Sequence, residues 1–164
     1  MTSPGPARYK SKTLATWIAL LGGSFGLHRF YLHGLRDPWA WLFPWPTLLG
    51  IYGVQRARAF GLDDPLSWLL IPLLGLMLAA TMLHAIVIGL TSDATWNARF
   101  NAGTRAHRSG WFTVIGVVLA LAFGAAALMA TLSFSAQRYF EYQAEHAGVP
   151  PRQSPGQSLE QGQA

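Results

Sequence analysis

The sequence predicts an all-α fold: a polytopic membrane bundle of about four transmembrane helices, the second short and interrupted by proline. Three observations carry this expectation. Of the 164 residues, 51% are hydrophobic and only 12% are charged, against about a quarter charged in a soluble domain. Four stretches hold no charge at all: 13–27, 38–54, 66–90 and 110–134, of 15, 17, 25 and 25 residues. Between them the charges gather in short clusters, as they do in loops at a headgroup layer.

Each element follows in order. Residues 1–9, with two prolines and a glycine, are expected to be disordered. Lys10 and Lys12 then stand where a helix meets headgroups. The first apolar stretch, 13–27, would rise about 22 Å, short of a hydrocarbon core of about 30 Å. Two further turns bring in His28, Arg29, Phe30 and Tyr31. The polar pair is then expected at the far interface. Arg29 would snorkel to phosphate, and Phe30 and Tyr31 would sit in the aromatic belt. The basic start resembles the n-region of a signal peptide, but no small-residue cleavage site follows, so the segment reads as a retained first span.

The second stretch contains Pro44 and Pro46, each lacking a backbone donor. A loop-like entry through Trp39, Trp41 and Trp45 is expected, with the regular helix starting near Pro46 and making a short crossing. Asp63 or Asp64 can cap the third helix, with Pro65 in its first turn. That helix carries Pro72 and a lone His84. In the loop 91–109, Trp96 and Phe100 stand four apart, the spacing of a short interfacial helix. The fourth span, 110–134, is rich in glycine and alanine. Residues 59–140 thus form a second helical pair, and 141–164 a polar, mostly disordered tail. Four crossings would put both termini on one side. Arg8, Lys10, Lys12, Arg56, Arg58 and Arg138 would face Arg29, Arg36, Arg99, Arg105 and Arg108 across the membrane. By the positive-inside rule the termini are expected in the cytoplasm of a cell with an inner (plasma) membrane.

The stretch "GGSFGLHRFYLHG" resembles the TM-two domain family, a module of two membrane helices joined by a short linker. Gly22, Gly23, Gly26, His28, Arg29, Phe30, Tyr31 and Leu32 carry the resemblance, which covers roughly residues 10–58. It implies a helical hairpin there, and it implies no established reaction. Two positions depart from the family pattern: His33 intervenes before Gly34, and Arg56 stands where an acidic residue is usual. Arg29 would then pair with Asp37, with carbonyls or with lipid phosphate.

Several classes of chemistry are excluded or disfavoured. There is no cysteine, hence no disulfide or thiolate site. No Walker loop, HExxH pair or GxSxG elbow occurs. His28 and His33 are five apart and share no helical face, so no metal site is expected there. No cofactor is expected. The net charge of +5 is scattered, which suits anionic headgroups better than nucleic acid. Gly22 with Gly26, and Gly116 with Ala120 and Gly124, have the four-residue spacing that lets helices approach closely. His84 is a lone ionisable residue within the third span, either packed against a neighbouring helix or part of a polar path. The expected role is a non-enzymatic helix-packing or scaffold module, in contact with the bilayer and with a second copy or another membrane protein. The alternative is a small channel or transporter component, its polar stripe built from Thr81, His84, Gly89 and Ser92.

Overall fold

The fold was analysed in a computed structural model that describes residues 9–61 and 64–147. The expected disorder of 1–8 and of 148–164, and the capping role offered to Asp63, lie outside the described residues.

Seven α-helices make up the described chain: α1 Lys12–Gly22, α2 Leu27–His33, α3 Pro38–Leu42, α4 Pro44–Phe60, α5 Pro65–Leu90, α6 Asp93–Phe100 and α7 Trp111–Ala147. The all-α class stands, but the count of about four membrane-crossing helices does not. Among the described residues only α5 and α7 are long and apolar enough to cross a membrane.

The first apolar stretch fails as a span because its glycines turn the chain around. Helix α1 ends at Gly22, residues Gly23–Phe25 form a 3₁₀ turn, and Gly26 takes φ +76°. That left-handed conformation suits glycine and reverses the direction of the backbone. Helix α2 then returns to where α1 began: the Ser11 amide donates to the Tyr31 hydroxyl at 2.9 Å, and the Lys10 ammonium donates to the Leu32 carbonyl. His28, Arg29, Phe30 and Tyr31 therefore lie on the returning arm of a short hairpin, not at the far end of a span. The second stretch fails for the reason its prolines announce. It divides at Phe43 into the five-residue α3 and the 17-residue α4, whose last turns carry Gln55, Arg56 and Arg58.

Helix α5 is the spine. Its N-cap Asp64 accepts from the Ser67 amide at 3.0 Å, with Pro65 in the first turn. The C-terminal half of α5 packs on α1 and on the 3₁₀ turn, its N-terminal half packs on α4, and α7 lies along both. Helix α7 runs antiparallel to it, shown by the successive contacts Gly89 to Val117, Met82 to Gly124, Gly75 to Thr131 and Trp68 to Tyr142. Residues 141–147, read from the sequence as tail, continue α7.

The core lies where α1, α2, α5, α6 and α7 meet. It is built from Ala15, Ala19, Leu20, Leu32, Ala85, Ile88, Trp96 and Ala120. Four alanines with no exposed surface, Ala15, Ala19, Ala85 and Ala120, bring these helices close. The short helix expected from Trp96 and Phe100 is α6. Trp96 is only 2% exposed, however, and its indole donates to the Lys10 carbonyl at 3.0 Å.

This arrangement corrects the expected topology. Lys12 bonds to Thr91 and Asp93 at the C-terminal end of α5, while Arg138 lies over the Trp68 ring at its other end. The groups expected to share a side occupy opposite ends of the bundle.

Candidate functional site

Two polar clusters are built into the described chain. The first lies on the hairpin, against the C-terminal third of α5. His28 is the second residue of α2, and the turn through Gly26 carries its ring inward until it is 1% exposed. There is room for it because Gly23 has no side chain: a Cβ there would stand 2.9 Å from Thr81 Cβ and 3.6 Å from His28 Nδ1. The His28 ring meets Phe43 edge-on at 5.6 Å and faces His84 of α5 at 5.5 Å between centroids. Neither ring nitrogen of His28 has a hydrogen-bond partner. His84 is exposed on its outer flank, and its Nδ1 lies 3.0 Å from the Ala80 carbonyl. A carbonyl only accepts, so that nitrogen carries the proton and Nε2 keeps its lone pair.

Arg29 points the other way, its Nε donating to Asp37 at 2.9 Å with His33 at 3.8 Å from the same oxygen. Burial acts to raise the pKa of Asp37, but the bonds from Arg29 and from the Trp39 amide outweigh it and hold the carboxyl below its ordinary value. Asp37 also caps α3 through that amide. One carboxylate thus ties α2 to α3, and the Phe30 ring against Trp41 at 5.3 Å closes the corner. At the hinge, a Cβ on Gly26 would fall 2.6 Å from the Ala40 carbonyl, whereas one on Gly22 would meet only the side chain of Leu27. The other glycines singled out in the sequence lie between helices: Gly116 faces Thr16 and Trp17 of α1, and Gly124 faces Met82 of α5.

The second cluster caps the α6 end. Lys12 is 3% exposed and donates to the Thr91 carbonyl at 2.7 Å and to Asp93 at 2.6 Å. Asp93 also accepts from the Ser109 amide at 2.8 Å and from the Ser109 hydroxyl. Lys12 first, then Ser109, hold its carboxyl well below the usual carboxylate range. His107 is 7% exposed, with Nδ1 2.7 Å from the Tyr9 hydroxyl. Burial lowers its pKa, partly countered by Asp93. Asn97 brackets the backbone of His107 from both sides, accepting from its amide at 2.7 Å and donating to its carbonyl at 2.9 Å. This end cap locks the start of α1 to α6 and to the 101–110 loop.

The pairing of His28 with His84 joins two residues the sequence picks out separately, 56 positions apart. Sequence reasoning missed the end cap and also missed Gly50 and Gly53, where α4 lies almost backbone to backbone on Leu74 and Leu70 of α5. The only written signal for the last was the G-x-x-G of "GIYG". Among the described residues no group of three or more His, Asp or Glu is placed to hold a metal ion.

Fold and site together define an all-α bundle with two long apolar helices, a glycine-hinged hairpin laid against them and a polar cap at one end. No family model, curated protein or solved structure matches the chain.

Proposed function

We propose that the chain is an integral protein of a bacterial-type inner membrane, held by α5 and α7, and that it works as a non-enzymatic helix-packing or scaffold module. One observation carries the reading. Only 17% of the most apolar window of either helix is buried within the chain. A core helix of a soluble protein would be mostly covered. Here Leu69, Leu76, Leu83 and Leu90 of α5, and Val118, Leu121, Met129 and Leu132 of α7, stand exposed. So much bare apolar surface calls for lipid or for another apolar helix.

The charges support an orientation. Lys10, Lys12, Arg29, Arg36, Arg99, Arg105 and Arg108 belong to the α6 half of the bundle, seven against Arg56, Arg58 and Arg138 in the other. The positive-inside rule places the α6 end in the cytoplasm. Kinship with the TM-two domain family is part of the same proposal and rests on the residues from Gly22 to Leu32 alone. Against a channel, Thr81 is fully buried and spends its hydroxyl on the Leu78 carbonyl at 2.9 Å, and Gly89 is packed under Val117. The test is extraction: the chain should stay in the membrane pellet through alkaline carbonate and leave it only with detergent. A soluble, monodisperse protein recovered without detergent would overturn the proposal.

A further inference from the structure

We propose that His28 and His84 hold one monovalent copper ion between their rings. Three observations lead there. First, His28 is buried with both nitrogens unpartnered. Leaving a buried polar group unmade costs about 1–3 kcal/mol, and such a group in a native structure calls for a reason. Second, His84 is prepared as a ligand. Its Nδ1–H is spent on the Ala80 carbonyl, which fixes the tautomer and orients the ring with the Nε2 lone pair bare; metal-ligating histidines are commonly held this way. Third, the spacing fits. Two imidazoles bound at about 2.0 Å to one metal place their ring centres about 5 to 6 Å apart as the angle at the metal opens from tetrahedral to linear. The observed 5.5 Å lies within that range.

The surroundings choose the cation. No carboxylate or thiolate joins the pair, and among the described residues no third His, Asp or Glu completes a cluster. Zn²⁺ asks for four ligands, and hard cations ask for oxygen. A divalent charge would also sit uncompensated beside Arg29, whose one carboxylate, Asp37, is already engaged. Cu⁺ carries half that charge and is content with two or three nitrogen ligands. The Phe43 ring stands nearly perpendicular to both imidazoles, 5.6 Å from His28 and 6.2 Å from His84 between centroids, and gives the pair an apolar neighbour.

The test uses the full chain purified in mild detergent under a reductant. Cu⁺ is titrated against a chromogenic Cu⁺ chelator, and the copper withheld per chain is counted. The wild type should withhold one equivalent. His84→Leu, a change on an exposed flank that keeps the fold, should bind at least about tenfold more weakly. His28→Phe, which keeps a ring in the buried space, should do the same. His33→Gln and His146→Gln should withhold copper like the wild type. If wild type and His84→Leu compete equally, the site does not exist. One equivalent of Zn²⁺ held more tightly than Cu⁺, and lost in His84→Leu, would overturn the assignment of a monovalent ion.

Discussion

Replacing Gly50 with alanine asks whether α4 really rests backbone to backbone on α5. In an open helix interior the change is favourable, because alanine is the better helix former by about 1 kcal/mol. Here the new Cβ would stand 2.4 Å from Leu74 Cβ, 2.8 Å from Leu74 Cα and 2.9 Å from Leu74 N. Two of these atoms are backbone, so no rotamer change relieves the clash and α4 must move bodily by about 1 Å. A gap of that size forfeits a quarter to a half of each dispersion contact along the seam, and overpacking of this kind costs about 1–3 kcal/mol. The net expectation is a loss of up to about 2 kcal/mol after the propensity gain. Gly110→Ala is the control, since a Cβ there meets nothing within 4 Å. Thermal unfolding of the detergent-solubilised protein, followed by helical circular dichroism, is the assay. Gly50→Ala should unfold at a lower temperature than wild type while Gly110→Ala matches it. If Gly50→Ala instead raises the unfolding temperature, the packing of α4 on α5 described here is wrong.

Three further outcomes are expected. Gly26→Ala should disrupt the hairpin more than Gly34→Ala, because both positions have positive φ but only Gly26 faces a carbonyl at 2.6 Å; limited proteolysis between α2 and α3 reads this directly. Asp93→Asn should cost about 1–2 kcal/mol, a figure reduced from that of a fully buried pair because Asp93 is 37% exposed while Lys12 is left with a buried charge; unfolding midpoints of the variant and wild type measure it. The end cap should loosen in mild acid. The folded pKa of His107 lies below its ordinary 6.5, so its contribution is complete above that pH and is lost as the pH falls below it; the protection of the His107 amide, held by Asn97, relative to its intrinsic exchange rate should fall below pH 6.5, and His107→Gln should flatten that dependence.

The helical class and both long apolar helices were legible because hydropathy alone reports them: 66–90 lies within α5, and all of 110–134 but its first residue lies within α7. The cap of α5 was legible for the same local reason, since an aspartate followed by proline announces a helix start. The first two stretches misled because an uncharged run says how apolar a segment is, not where it bends. The reversal at Gly26 depends on one backbone angle, and the break near Phe43 on how two prolines share the work of starting a helix. Lys12 shows the same limit. A lysine before an apolar run reads as a headgroup anchor, yet it is buried because Asp93, 81 positions away, is there to receive it. The two histidines met only through tertiary structure, and nothing local to either one names the other.

If α5 and α7 carry the chain across a bilayer, the α6 end and the α7 C-terminal end lie on opposite faces. Because the sequence has no cysteine, single reporters at Ala102 and Ala144, both exposed, give a clean reading with a membrane-impermeant thiol reagent on intact cells and on inverted vesicles. Insertion through α5 and α7 predicts that Ala144→Cys labels in intact cells and Ala102→Cys only in inverted vesicles, with Leu83→Cys on the exposed face of α5 labelling in neither. Labelling of Ala102→Cys and Ala144→Cys from the same side, or ready labelling of Leu83→Cys, would contradict it.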